Sequence, residues 1–187
     1  TASSLAKVDL QGNQVDGDRP VNRAGALIHA AILGARPEIN YSAHTHSRAG
    51  AAVSCMGCGL LPISQHAGMI LPTVCIHPYQ DVTTAADECE ALARDIGDSF
   101  AMIMENHGLL TCGRSIGECF YYLYYLETAC KIQVDVLSSG QAPLLLSNKV
   151  VDGLFADGDV PKNEPPGAED WYPQLRWLDN NLPGFRD

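Results

Sequence analysis

Positive charge is scarce in these 187 residues: twelve Lys and Arg stand against 22 Asp and Glu, a formal net charge of −10. A surface of that sign repels phosphate backbones and anionic headgroups, so neither nucleic acid nor a membrane is an expected partner. Long apolar runs are missing too. No stretch approaches the roughly 18 residues of a spanning helix. The opening "TASSLAKVDLQGN" lacks the basic stretch leading into an apolar one that marks a secretory signal. Cysteine is present in an odd number, seven, spread through segments that read as core. That pattern suits free thiols in a reducing cytoplasm better than a disulfide framework, and a cytoplasmic location is the expectation. Cys55 and Cys58 form "CMGC", yet no second pair follows at a zinc-ribbon spacing, so the motif reads as a helix end packed in the core.

What is there is a globular composition: 46% hydrophobic and 18% charged, enough apolar mass for one domain with a real core. The first 20 residues read as a short hairpin around "QGN" and "DGD". Asn22 is placed to cap a helix through "RAGALIHAAILGA", which Arg36-Pro37 stops. "INYSAHTH" reads as a strand, and Ser47 as the cap of a helix "RAGAAVSCM". "LLPIS" and "LPTVCIHPY" read as short strands and loops. Thr84 to Asp87 forms a capping box before "AADECEALARDIG", and "FAMIMEN" and "GLLTCG" are two apolar strands. Ser115 and Glu118 form a second capping box opening the longest helix, about 115–137. Its apolar stripe is Ile116, Phe120, Leu123, Leu126, Cys130, Val134 and Leu137. A Pro- and acid-rich loop, "KNEPPGAED", leads to a short amphipathic piece, "WYPQLRWLDNNL". This order of helices and strands predicts an α/β fold with helices on both faces of a sheet.

The chemistry-bearing residues are histidines. On a strand, residues two apart share a face, so His44 and His46 of "HTH" can reach one ion. His107, in "ENHG", ends an apolar strand, and Gly108 lets the backbone turn tightly beside a ligand. Three neutral imidazoles with an open fourth position describe a catalytic rather than a structural zinc site. His29 lies in an apolar helix and reads as a hydrogen-bonded core residue, while His66 and His77 lie in loops that can approach the site. Arg48 is a candidate substrate-binding cation and Tyr79 a candidate catalytic proton donor; either side chain also fits an ordinary structural role, a surface ion pair or simple packing. "FYYLYYLE" fits core and subunit packing rather than base stacking.

"ARPEINYSAHTHS" followed by "ENHGLLTCG" and a long helix resembles the class II aldolase/adducin family. "TASSLAKVDLQGN", "AGAAVSCMGCGLLPIS" and "SIGECFYYLYYLETACKIQV" bring it nearest to adducin head domains and their bacterial relatives. The resemblance covers about residues 1–145, leaving 146–187 as a C-terminal extension with a short helix. It implies a three-layer α/β/α sandwich with a mainly antiparallel central sheet. It also implies a homo-oligomer, expected to be a tetramer, with sites at subunit interfaces. In the aldolases the histidines matching His44, His46 and His107 hold zinc, and a tyrosine in a context like Pro78-Tyr79 donates a proton from the neighbouring subunit. Two departures stand out. The aldolase general base, a glutamate four residues before the position of His29, is Gly25 here, with no carboxylate in "PVNRAGALIH". The residues also begin well inside the family pattern, beyond a segment that supplies part of the aldolase phosphate surface.

The expectation is a divalent-metal-dependent lyase, using aldol cleavage or decarboxylation on a small oxygenated substrate. Zn2+ is the first expected ion, with Mn2+ or Fe2+ next. The alternative is a non-catalytic, adducin-like actin-binding module, against which the acidic "KNEPPGAED" counts. An iron-dependent oxygenase is a third reading, since iron also accepts three nitrogen ligands.

Overall fold

A computed structural model describes residues 1–79, 86–157 and 164–187. The N-terminal segment forms the expected hairpin, β1 (Lys7–Val8) against β2 (Gln14–Asp16). α1 (Arg23–Ala35) follows, and the Asn22 side chain accepts a hydrogen bond from the Ala24 amide at 3.1 Å. Next come β3 (Tyr41–Thr45) and α2 (Arg48–Ser54), the latter capped by Ser47, whose hydroxyl accepts from Gly50 N–H at 3.1 Å. A one-turn helix α3 (Gln65–Gly68) and strand β4 (Val74–His77) precede α4 (Ala86–Ile96). β5 (Ala101–Met104) and β6 (Gly108–Gly113) form a tight hairpin, and α5 (Ile116–Ser138) is the long helix. α6 (Asn148–Asp157) and α7 (Ala168–Asn181) complete the chain.

The main sheet runs β3-β6-β5-β4; β4 and β5 are parallel, the other two pairs antiparallel. Alternation along β5 and β6 divides the core. Ile28, Ile32, Leu92 and Ile96 of α1 and α4 cover Met102, Met104, Leu110 and Cys112. Val53 of α2 with Tyr121, Tyr122 and Leu126 of α5 covers Ala101, Ile103 and Leu109. Every residue of β5 and β6 is buried, which is why these segments read as uninterrupted apolar runs. The fold is the expected three-layer sandwich.

Several local readings change. The two expected strand regions before α4 yield one strand, because Ser64 caps α3 instead, accepting from the Ala67 amide at 3.1 Å. α6 carried no recognised signal. The buried surface of α5 is wider than the predicted stripe: Leu126 and Cys130 are fully buried as expected, Ile116 is 39% exposed, and Tyr121, Tyr122, Ala129 and Gln133 are buried as well. The reason is that α5 packs on the sheet, on α2 and α3, and on α7 at once, so more than one face is covered. Ser115 caps α5 as expected, but Glu118 bonds the Arg114 amide at 2.7 Å and the Arg114 guanidinium rather than closing the box on Ser115. Cys55 does end α2, yet both Cys55 and Cys58 are exposed rather than packed in the core. The Thr84–Asp87 box falls on Thr84, outside the described residues. Among the described residues, no helix is long and apolar enough to cross a membrane.

Leu126 is fully buried between α5 and the sheet. Leu126→Ala is expected to cost about 2–5 kcal/mol of stability, read as a lower urea midpoint at unchanged slope.

Candidate metal centre

β3 sets the first two candidate ligands. His44 lies opposite Leu110 in the register with β6, on the α1 face, and His46 follows just past the strand end. The third arrives through the β5–β6 hairpin, whose loop is Glu105, Asn106 and His107. That loop is tied down at each residue. The Glu105 amide donates to His77 O at 2.8 Å and the Asn106 amide to Ser54 O at 3.0 Å; the His107 amide reaches Ser54 Oγ at 3.2 Å. Asn106 adopts φ 52°, a left-handed turn that asparagine tolerates better than most residues. Gly108 then passes so near β3 that a Cβ would lie 2.4 Å from Thr45 O and 3.3 Å from a His46 ring carbon.

The result is three imidazoles packed edge to face, with centroids 4.7 Å (His44–His46), 4.9 Å (His44–His107) and 4.6 Å (His46–His107) apart. One ring nitrogen from each lies within 4.8 Å of the others. An ion at about 2.0–2.1 Å from each nitrogen needs them some 3.4 Å apart, which small ring rotations supply. His44 Nδ1 sits 2.9 Å from Leu109 O. A carbonyl only accepts, so Nδ1 carries the proton and Nε2 presents its lone pair to the cluster. His44 Nε2 is 2.8 Å from His46 Nε2, so in the chain alone His46 donates there. Binding an ion requires that proton to move to His46 Nδ1.

The electrostatics favour neutral ligands. Burial, outweighing the Leu109 hydrogen bond and reinforced by the other histidines, pushes His44 down to about 4. Burial and then the neighbouring His46 and His77 lower His107 as well. His29, also lowered by burial, is held by Ser42 Oγ at 2.7 Å, as a hydrogen-bonded core histidine should be. The donor set therefore fits a divalent metal: three imidazole nitrogens and no carboxylate among the described residues of the cluster.

Other sequence candidates lie elsewhere. Arg48 opens α2 and lines a groove of about 640 Å³ with Glu127, Lys131 and Asp135, a groove the histidines do not line. Tyr79 is 52% exposed, two residues past β4. Glu105 is exposed, and His66 sits in α3, its ring 5.6 Å from that of Tyr125. His77 belongs to a strand end rather than a loop, and is buried against Asp95. Sequence reasoning passed over Ser54, which anchors the loop; nothing in its local pattern distinguishes it.

Gly108→Ala must push β3 and β6 apart, so it is expected to weaken cobalt(II) binding at least about tenfold and to lower the thermal midpoint. In chelator-treated protein, the His44 ring resonance should titrate near 4. Since the folded value lies below the unfolded one, the unfolded chain binds more protons in that interval. Stability from this group is complete above about pH 6.5 and falls as pH drops towards 4. Denaturation midpoints measured from pH 4 to 8 check the sign.

The sequence profile of the Class II Aldolase and Adducin N-terminal domain matches residues 1–134. An aldolase II superfamily protein from Pseudomonas syringae is 38% identical, with TM-score 0.91, covering 100% of this chain and 76% of that one. L-fuculose 1-phosphate aldolase from Glaciozyma antarctica is 26% identical, with TM-score 0.78, covering 95% of this chain and 70% of that one. Alpha-adducin of Rattus norvegicus is 40% identical over 195 residues, 96% of this chain but 26% of the adducin. With its fold and profile in agreement, the chain belongs to the class II aldolase and adducin family.

Proposed function

We propose that this chain is a divalent-metal-dependent carbon–carbon lyase, acting by aldol cleavage or decarboxylation on a small, oxygenated, anionic molecule. The observation that carries the reading is the convergence of three ring nitrogens, with His44 already fixed in the ligating tautomer by Leu109 O. His44, His46 and His107 would hold the ion. Zn2+ suits three neutral imidazoles and an open position best, ahead of Mn2+ or Fe2+. Such an ion polarises a substrate oxygen and acts as the sink for the electrons of the breaking bond.

The chain's own residues supply the rest of the site. Arg48 and Lys131 are the cations of the neighbouring groove, and Arg48 is the candidate to receive the substrate's anionic group. Tyr79, exposed on one copy, would serve as proton donor to the site of another, in a homo-oligomer for which a tetramer is the working model. Residues 1–145 are assigned to the catalytic domain and 146–187 to an extension. The similarity to a fuculose phosphate aldolase supports a phosphorylated or otherwise acidic small substrate. Gly25 excludes the carboxylate base used by related aldolases from that position; decarboxylation dispenses with it.

Purified protein is expected to carry about one divalent ion per chain, and His46→Ala to lose it. Cleavage of sugar phosphates or 2-oxo acids should cease on chelation and return with zinc. Equal metal content in wild type and His46→Ala removes the reading. The likeness to alpha-adducin supports a second one, an actin-binding module. Cosedimentation with filamentous actin, unchanged in His46→Ala, would favour that module over the lyase.

A further inference from the structure

Among the described residues, two buried side-chain polar atoms lack a hydrogen-bond partner: Thr45 Oγ1 and His77 Nε2. Both lie at the histidine end of the sheet. Thr45 separates His44 from His46, and its hydroxyl can rotate. His77 has no such freedom. Its Nδ1 is 2.7 Å from Asp95 Oδ2 of α4, and its side chain is 3% exposed. A carboxylate accepts, so the proton sits on Nδ1 and Nε2 is left as a fixed, buried, unsatisfied acceptor. Such an atom costs about 1–3 kcal/mol unless something meets it.

The register shows what lies near. His77 pairs with Met104 and Met104 with Gly108, while a Cβ on Gly108 would touch His46. His46, Gly108, Met104 and His77 therefore form one row across the sheet, on the face that carries His44. Gly108 contributes no side chain to that row, and His107, the residue before it, packs its ring against His44 and His46. The His107 loop is tied to the His77 carbonyl through the Glu105 amide at 2.8 Å. Of the three clustered imidazoles, His44 has its outer nitrogen held by a carbonyl. Metal-ligating histidines as a rule need such an outer partner to fix tautomer and ring orientation.

We propose that His77, oriented by Asp95, is the positioning residue for His107: its Nε2 accepts a hydrogen bond from the His107 ring N–H that faces away from the ion, directly or across one water. The chain Asp95–His77–His107 then does for the hairpin ligand what Leu109 O does for His44. This inference rests on the metal reading above, and goes beyond it by assigning a role to a histidine–carboxylate pair outside the cluster.

Cobalt(II) titration of the full chain, followed by visible absorption, tests both and separates them. Wild type should give a four-coordinate cobalt spectrum that His46→Ala abolishes. If wild type and His46→Ala give the same trace, the metal reading fails and this inference with it. If wild type binds, His77→Leu should bind about 10–100-fold more weakly at unchanged circular dichroism. His77→Gln, which keeps an acceptor near the Nε2 position, should recover most of the affinity. Wild-type affinity in His77→Leu overturns the inference while leaving the metal reading intact. Should His77→Leu fail to fold, imidazole N–H resonances of the zinc-loaded wild type decide. The His107 ring N–H should exchange slowly, and faster in Asp95→Asn; exchange unaffected by Asp95→Asn overturns the proposal.

Discussion

The end of β3 and the start of β6 approach so closely that no side chain fits between them. Gly108 meets that constraint, with Thr45 O where its Cβ would be and the His46 ring just beyond. The close approach fixes the antiparallel register that sets His44 opposite Leu110. It also carries the preceding residue, His107, over the strand end into contact with both other imidazoles. The hairpin loop is short and tied at each residue, with Ser54 of α2 and His77 of β4 holding its amides. A helix and another strand thus both hold this three-residue loop, so the third candidate ligand comes from a tied position although it lies between strands.

The same end of the sheet decides the charge state of the cluster. Partial burial favours the neutral form of His44 and His107, and a single backbone carbonyl chooses the tautomer of His44. An acidic chain would be expected to crowd a cation site with carboxylates, yet none among the described residues joins this cluster. Among the described residues, the acidic side chain engaged with a nearby histidine is Asp95, which meets His77 from α4. Room exists at Gly25, where an added Cβ would find only an Asn22 atom at 4.0 Å, so the missing carboxylate is not a consequence of crowding. Among the described residues the cluster therefore offers nitrogen donors alone.

The strongest sequence signals were those with short-range causes. Helix caps at Asn22, Ser47 and Ser115 were legible because a side-chain oxygen satisfies an amide two or three residues away. The all-buried strands β5 and β6 were legible as apolar runs. Reading the α5 stripe from periodicity alone found Leu126 and Cys130 but missed much of the buried surface, because helices and sheet cover that helix on several sides. Cys55 and Cys58 were placed in the core for their apolar flanks, but the turn after α2 leaves both thiols at the surface.

His77 marks the boundary between the two kinds of information. In sequence it is one histidine in "IHPY"; its burial and its contact with Asp95, 18 residues away, exist only when α4 packs against β4. The sequence by itself determined the family pattern, the sandwich class and the identity of three candidate ligands, because strand periodicity and a glycine beside a histidine are local properties. Only the tertiary structure decided that those ligands meet, which nitrogen of His44 faces inward, and that Arg48 lines a separate groove. Those outcomes depend on strand register and helix packing between residues more than 60 positions apart, as His44 and Leu109 are. No local pattern encodes such distances.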